Sequence, residues 1–282
     1  MPPRFYDAHN HLQDDRLAPW REEILAGLAA SGIVRLVVNG SCEGDWPAVR
    51  ELARRSPAVI PSFGYHPWHV RERTPDWQRT LTTLLDESPA AVGEIGLDRW
   101  IEGHDLEDQA GVFEWQLRLA AERNLPVSIH CLQAWGRLLE MLQSVPLPRC
   151  GFLLHSYGGP AEMVGPLARL GARFSLPGYF AHERKERHRE TFRQIPFDRL
   201  LIETDAPDQT PPAEWILHPL GTEAGGRALN HPGNLPAIYR FAAELWGTDL
   251  ATLAEQVERN FWSLFGGVAS PPAPPHDAPE CS

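Results

Sequence analysis

Short apolar runs alternate with longer amphipathic stretches along most of the chain. Eight runs rich in apolar and β-branched residues are typical of buried strands, from FYDAH near the N-terminus to LLIETDAP at 200–207. Between them lie segments in which apolar residues recur three and four positions apart, as expected of helices, at 105–123, 133–143, 160–170 and 183–195. Eight strand–helix repeats predict a (β/α)8 barrel, although a doubly wound open sheet uses the same alternation.

Two segments fall outside this alternation. Residues 208–231, between the eighth strand and its helix, are long and rich in proline and glycine, and such loops are often functional. From position 269 the sequence ASPPAPPHDAPECS has almost no large apolar residue, which predicts a disordered tail. We therefore expect one barrel domain over 1–268 and a tail over 269–282, and assign no role to His276.

Composition limits the cellular setting. No apolar run approaches the roughly 20 residues of a membrane helix, and the first residues lack the basic and apolar segments of a secretory signal. We therefore expect a cytoplasmic protein that does not bind membranes. The cysteines show no C-x-x-C spacing, which predicts free thiols at Cys42, Cys131, Cys150 and Cys281.

The formal net charge of −11 restricts the class of partner. Broad, sequence-independent binding to duplex DNA needs a basic surface that displaces counterions, so this charge argues against it. A small anionic substrate stays compatible, because a cluster of divalent cations reverses the potential locally. No obligate protein partner is predicted.

Ionisable residues stand where the strand-like runs end. In barrels the active site lies at the C-terminal ends of the strands. Six of the eight runs end there in a potential metal ligand or proton-transfer group, whereas the second and seventh end in small polar residues or glycine. These groups are His9 and His11, His66, Glu94, His130, His155 and Asp205.

The spacing in DAHNH places Asp7, His9 and His11 on one face of an extended strand, since side chains alternate with a period of two. Imidazole and carboxylate together suit Zn²⁺, Mn²⁺, Fe²⁺ or Ni²⁺, and the seven groups at the strand ends exceed what one tetrahedral site uses. The sequence therefore predicts two divalent ions. Such a pair stabilises both the attacking and the leaving oxygen of a displacement.

Seven motifs, in order across positions 7 to 265, resemble the TatD family of metal-dependent hydrolases within the amidohydrolase superfamily. They are DAHNH, FGYHPW, AVGEIGLD, LPVSIHC, LLHSYGG, LIETDAP and NFWSLF. The resemblance implies a (β/α)8 barrel with a binuclear divalent-metal site, and zinc, manganese and magnesium are the candidate ions. It also implies phosphodiester hydrolysis, including trimming of DNA from the 3′ end.

The resemblance also implies roles for individual residues. His9 and His11 would bind one ion together with Asp205, and Glu94 would bridge the two ions. The second ion would be bound by His130 and His155. His66 matches a histidine near the scissile phosphate, and Asp205 is also the expected proton acceptor. We therefore predict Asp205, His66 and Glu94 as catalytic residues.

Two acids close to the predicted ligands, Asp7 and Glu203, are expected to support them. Asp7 is expected to orient the histidine pair from behind, although its position in the strand alternation also allows it to face the site directly. Glu203, two residues before Asp205 and on the same strand face, is expected to lie deeper in the barrel as a support.

The sequence departs from the family pattern at two places. LNHPGNLP carries His231 where many relatives have a charged residue, and CLQAWGRL lacks a basic residue that is common in relatives directly after the histidine. These departures leave the substrate contacts open.

Five aromatic residues fall in predicted loops at the same rim, where nucleobases can stack on their rings. For any single one of these residues, packing between the loops and the outer helices is the favoured expectation. Trp68 and Trp135 follow site residues closely and are the strongest candidates for stacking, ahead of Trp100, Tyr157 and Tyr179.

Three functions remain open at this point. The first is a nuclease acting on nucleic-acid ends or a small phosphodiester. The second is a deacylase or amidase that attacks a carbonyl, such as the ester of an aminoacyl-tRNA, with the same metal pair. The third is a non-catalytic binding module, which the presence of every ligand position argues against.

Overall fold

The computed structural model describes residues 2–222 and 226–269, so the tail from 270 onward, with His276 and Cys281, lies outside the described residues. Eight parallel strands pair in the order of the chain. They are β1 (Phe5–Asn10), β2 (Ile33–Asn39), β3 (Val59–Phe63), β4 (Ala91–Asp98), β5 (Val127–Leu132), β6 (Phe152–Leu154), β7 (Ala172–Pro177) and β8 (Leu200–Glu203).

Backbone hydrogen bonds connect the first and last strands. The amide of Asp205 donates to the carbonyl of His9 at 3.0 Å, and the amide of His11 donates to the carbonyl of Ala206 at 2.7 Å. The sheet therefore closes on itself, which confirms the (β/α)8 barrel and excludes the open sheet. These same bonds bring the ends of β1 and β8 together.

Helices surround the strands. They are α1 (Arg21–Gly27), α2 (Trp46–Arg55), α3 (Trp77–Glu87), α4 (Leu106–Arg123), α5 (Trp135–Ser144), α6 (Ala161–Arg169), α7 (Glu186–Phe192), α8 (Leu235–Trp246) and α9 (Leu250–Phe265). The predicted helical segments at 105–123, 133–143, 160–170 and 183–195 correspond to α4, α5, α6 and α7. No described helix has the length and apolar character that a membrane span requires.

Helix α4 illustrates how local sequence sets the boundaries. The side chain of Asp105 accepts a hydrogen bond from the amide of Asp108 at 3.1 Å, which satisfies an otherwise free donor at the start of the helix. The helix ends at Arg123, and the capping residue that follows, Asn124, has a φ of +52°, in the left-handed region that asparagine tolerates. The helix thus begins and ends where the sequence supplies a cap.

Close strand packing positions the fourth and fifth strands. A Cβ at Gly96, where φ is +154°, would lie 1.9 Å from the carbonyl oxygen of His130. Only glycine therefore allows β4 to pass this close to β5 at the level of His130. Three of the cysteines, Cys42, Cys131 and Cys150, are free thiols, as predicted.

Candidate metal centre and active-site cleft

The carboxylate of Glu94 lies at the centre of the predicted site, and its two oxygens face different histidines. Oε2 lies 3.2 Å from Nε2 of His11 and 3.3 Å from Nε2 of His9. Oδ1 of Asp205 lies 3.6 Å from the same nitrogen of each ring. His9, His11 and Asp205 thus form a group of donor atoms that is able to hold a metal ion.

The other oxygen of Glu94, Oε1, faces three further imidazoles. It lies 2.9 Å from Nε2 of His155, 3.2 Å from Nδ1 of His130 and 3.3 Å from Nε2 of His66. His66, Glu94 and His130 form a second group of donor atoms able to hold a metal ion. The structure therefore brings together all seven groups predicted at the strand ends.

The donor atoms fit divalent cations. Nε2 of His9 lies 3.2 Å from Nε2 of His11, and Nδ1 of His130 lies 3.3 Å from Nε2 of His155. Pairs of imidazole nitrogens that converge on one carboxylate form the nitrogen and oxygen set that Zn²⁺ and Mn²⁺ accept in proteins. The residues present thus match the predicted type of ligand set.

Two residues outside the prediction position the first histidine pair. Nδ1 of His9 lies 2.7 Å from the hydroxyl of Ser128 and 3.1 Å from the side-chain amide of Asn39. Nδ1 of His11 lies 2.8 Å from the backbone carbonyl of Asn39. These contacts leave Nε2 of both rings directed at Glu94. Asn39 is the last residue of β2, one of the two strands for which no metal ligand was predicted. A polar residue at the end of this strand was the only sequence signal for its contact with the histidines.

Asp98 is a further residue that the sequence analysis did not assign. Its Oδ2 lies 2.9 Å from Nε2 of His130 and accepts the indole N–H of Trp68 at 2.7 Å. Burial opposes its ionisation, but these two bonds lower the pKa of Asp98 to about 2. An ionised carboxylate there fixes the His130 ring with Nδ1 directed at Glu94.

Glu203 contacts the ring nitrogen of His155 that points away from Glu94. Its Oε1 lies 3.7 Å from Nδ1 of His155 and accepts the amide of Ser156 at 2.8 Å. Its other oxygen accepts the hydroxyl of Ser175. Together with His9 and His155, Glu203 forms a third group with metal-binding geometry. Its supporting role stays a prediction.

Asp7 acts through the backbone, whereas the sequence predicted a contact with the imidazole rings. Its carboxylate accepts the amide of Thr204 at 2.9 Å and the amide of His9 at 3.3 Å, and it also accepts the Thr204 hydroxyl. Asp7 therefore joins β1 to the end of β8. The rings are oriented instead by Ser128 and Asn39.

Asp205 has a backbone conformation that few residues adopt. Its φ is +51°, in the left-handed region, which aspartate tolerates better than most residues. The side-chain amide of Gln209 donates to Oδ2 of Asp205 at 2.9 Å, leaving Oδ1 toward the histidine pair. Strain of this kind is often concentrated at functional sites.

Burial and the shared carboxylate affect the histidines in opposite directions. Burial lowers the pKa of His9 and of His66 to about 4, so both are neutral near neutral pH. Burial acts the same way on His11 and His155, but the hydrogen bond and charge of Glu94 prevail and raise the pKa of His11 to about 9 and that of His155 well above its usual value. The charges of the surrounding histidines hold the pKa of Glu94 itself well below its ordinary value despite burial.

A cleft of about 690 Å³ opens above these groups. Of the predicted aromatic residues, Trp68 and Tyr179 line it, and the indole of Trp68 is 46% exposed. Trp100 is exposed but lies outside the lining.

Trp135 and Tyr157 do not line this cleft, which fits the expectation of packing for each ring. The two rings pack against each other with centroids 4.8 Å apart, and Tyr157 is fully buried. Both side chains serve packing between β6 and α5.

His231 also lies outside the cleft lining. Its Nδ1 accepts the amide of Gly233 at 2.7 Å, and its ring stacks on that of His218 with centroids 4.9 Å apart. His231 therefore stabilises the turn before α8. A substrate contact by this residue is not supported.

A closed barrel with a histidine–carboxylate cluster at the C-terminal ends of its strands defines a metal-dependent hydrolase. The chain belongs to the TatD family, since residues 6–266 match the family described as "TatD related DNase". This confirms both the family and the enzyme class predicted from the motifs.

Curated relatives cover almost the whole chain. The chain is 33% identical over 270 residues to the "3'-5' ssDNA/RNA exonuclease TatD" of Pantoea sp. (strain At-9b), with 92% of this chain and 98% of the relative covered. It is 30% identical over 267 residues to the protein of that name from Escherichia coli (strain K12), with 93% and 98% covered.

Solved structures agree with the fold. The TatD homologue YjjV from Escherichia coli K12 superposes with a TM-score of 0.84 at 26% identity, covering 94% of this chain and 99% of that one. A TatD family hydrolase from Entamoeba histolytica gives a TM-score of 0.81 at 19% identity, with 94% and 99% covered, and shows the fold alone.

Proposed function

We propose that this protein is a divalent-metal-dependent exonuclease that removes nucleotides from the 3′ end of single-stranded nucleic acid. One observation carries the proposal: the two oxygens of Glu94 face separate sets of imidazoles, as a carboxylate that bridges two ions must. The relatives named "3'-5' ssDNA/RNA exonuclease TatD" support both the 3′-to-5′ direction of cleavage and the single-stranded substrate. The proposed catalytic unit is the barrel over 1–268, acting in the cytoplasm.

The proposed ligand set has two parts joined by Glu94. His9, His11 and Asp205 would hold one ion, and His130 and His155 would hold the other, with zinc, manganese or magnesium as the candidate metals. When bound, such ions lower the pKa of an attacking water and neutralise charge on the phosphodiester.

Asp205 is the proposed proton acceptor. Burial raises the pKa of the Asp205 carboxyl to about 7 in the absence of metal, and a bound cation would lower it, so its proposed role rests on its position. Gln209 holds Oδ2 while Oδ1 faces the site. Asp205 is therefore placed to take a proton from the attacking water.

His66 is the proposed hydrogen-bond donor to the phosphate. Its Nδ1 accepts the backbone amide of Trp68 at 3.1 Å, so the neutral ring carries its proton on Nε2. That nitrogen lies 3.3 Å from Glu94 and thus points into the site. A donor there stabilises charge that develops on a phosphate oxygen.

A carbonyl substrate is the alternative, because the same groups can activate water for attack on an ester or amide. The test is to incubate the metal-reconstituted protein with a 5′-labelled single-stranded oligonucleotide and, separately, with an ester-linked aminoacyl substrate. We expect a ladder of products shortened from the 3′ end, and up to two ions per chain by elemental analysis. Hydrolysis of the ester alone, or failure to retain any metal after reconstitution, would refute the proposal.

A further inference from the structure

Lysine is almost absent from this protein. Of the 26 lysine and arginine residues, a single one is lysine, Lys185. It ends the 3₁₀ turn Glu183–Lys185 that precedes α7, and its side chain lines the active-site cleft. Its Nζ lies 4.8 Å from the ring centroid of Tyr179 and 5.5 Å from that of Phe180.

The two arginine side chains in the cleft lining, Arg16 and Arg227, form ion pairs with carboxylates. Arg16 pairs with Asp14 at 2.8 Å and with Asp208 at 2.7 Å, and Arg227 pairs with Asp208 at 2.9 Å. Within residues 2–222 and 226–269, Lys185 forms no ion pair with a carboxylate. Aromatic rings hold an ammonium without neutralising its charge, so this charge remains available to an anion in the cleft.

We propose that Lys185 binds a non-reacting phosphate of the substrate strand. The inference rests on the proposed function, in which the reacting phosphate lies at the Glu94 cluster. Lys185 is half-buried in the cleft lining but contacts none of the proposed ligands. A polynucleotide, unlike a minimal phosphodiester, presents further phosphates, and lysine binds phosphate as a compact point charge. In a protein of net charge −11, such a cation provides attraction where the strand enters.

The first test compares two substrates that differ in phosphate number. Lys185→Met should raise KM for a single-stranded oligonucleotide about 10- to 150-fold, the range expected for one charge-assisted hydrogen bond. It should leave hydrolysis of bis(p-nitrophenyl) phosphate, which has only the reacting phosphodiester, unchanged. Lys185→Arg should restore most of the oligonucleotide affinity. The Lys185 side chain makes no capping hydrogen bond, so helix α7 does not depend on it.

Arg187→Met is the matched control, because it removes one positive charge from the exposed surface of α7, outside the cleft lining. We expect Arg187→Met to change neither KM for the oligonucleotide nor hydrolysis of bis(p-nitrophenyl) phosphate. The salt dependence gives a second readout: the slope of log affinity against log salt should become shallower by about 0.7 for Lys185→Met, the value for one phosphate contact to a single strand.

The second test does not depend on turnover. Reductive methylation with ¹³C-formaldehyde labels Lys185 and the α-amino group while keeping the positive charge. Addition of a phosphorothioate oligonucleotide that resists cleavage should shift the Lys185 dimethylamine resonance. The proposal is overturned if this resonance does not move, if KM for the oligonucleotide is unchanged in Lys185→Met, or if both substrates are impaired equally. Failure of the wild-type protein to cleave any oligonucleotide would instead refute the proposed function.

Discussion

Nε2 of His130 lies 2.9 Å from Oδ2 of Asp98, while the other nitrogen of the same ring lies 3.2 Å from Glu94. The carboxylate of Asp98 thus sets which nitrogen of His130 is offered to the site. We predict that Asp98→Asn, which removes the charge, weakens the binding of one metal ion by about 10- to 100-fold. Competition titration with a chromophoric chelator measures this. Trp68→Phe removes the other side-chain donor to Oδ2 of Asp98 and should leave metal affinity nearly unchanged. Equal loss of metal affinity in both variants would contradict this role.

Asp205→Asn tests the proposed proton acceptor. An amide fits the same volume and the same left-handed backbone, but it does not accept the proton. Turnover should fall by about 10²–10⁴, the range typical of losing a general base, with a milder loss of metal. Steady-state kinetics and elemental analysis on the same preparation separate the two effects. Activity close to that of the wild type would exclude Asp205 from the mechanism.

His66→Ala distinguishes a substrate contact from a metal ligand. His66 belongs to one of the groups with metal-binding geometry, yet the proposed role is donation to the phosphate. We expect kcat/KM to fall by about 10²-fold with metal content unchanged. His69→Ala, in the same cleft lining and beyond the cluster, is the control. Loss of one metal equivalent in His66→Ala would show that His66 is a ligand.

Trp68→Ala tests base stacking at the cleft. Stacking of a nucleobase on an aromatic ring is worth roughly 1–3 kcal/mol, so KM for an oligonucleotide should rise, whereas KM for one with abasic terminal nucleotides should not. Trp68→Phe should retain most of the affinity. Trp100→Ala removes a more exposed indole outside the lining and should have no effect. An identical change on both oligonucleotides would argue against stacking.

The lowered pKa of His231 should make the folding stability of the protein depend on pH. Burial, with the nearby His218, lowers its pKa from 6.5 to about 4. Between these values the unfolded chain binds a proton that the folded protein does not, so stability present above pH 6.5 is lost as the pH falls toward about 4.

His231→Asn keeps a side-chain acceptor for the amide of Gly233 but removes the titration. The free energy of unfolding of this variant, measured by urea denaturation, should therefore fall less steeply across that pH interval. The slope against pH should decrease by an amount that corresponds to at most one bound proton. Parallel curves for the two proteins would show that His231 does not contribute.

The sequence predicted the barrel and the cluster because both rest on local patterns. Strand ends can be read from hydrophobic runs, and a parallel barrel places all those ends on one rim. The common rim is what brings together His9, His130 and Asp205, which lie near the ends of three different strands.

Contacts between side chains could not be derived in the same way. Asp7 and Asp98 are both acids near a predicted ligand, yet one bonds backbone and the other an imidazole, because strand register and side-chain rotamers decide the partner. The same limit applies to Trp135, which follows a site residue but packs on Tyr157. Lys185 lies in the segment 183–195 that was predicted to be helical, but it belongs to the 3₁₀ turn Glu183–Lys185, and periodicity does not show that its side chain lines the cleft.

Every group of donor atoms in this site combines residues from both halves of the barrel. The half containing β1–β4 and the loops that follow contributes His9, His11, His66 and Glu94, and the half containing β5–β8 contributes His130, His155, Glu203 and Asp205. Within the described residues, neither half alone holds a complete group. Metal uptake by any of these groups therefore requires that the two halves of the barrel have come together during folding.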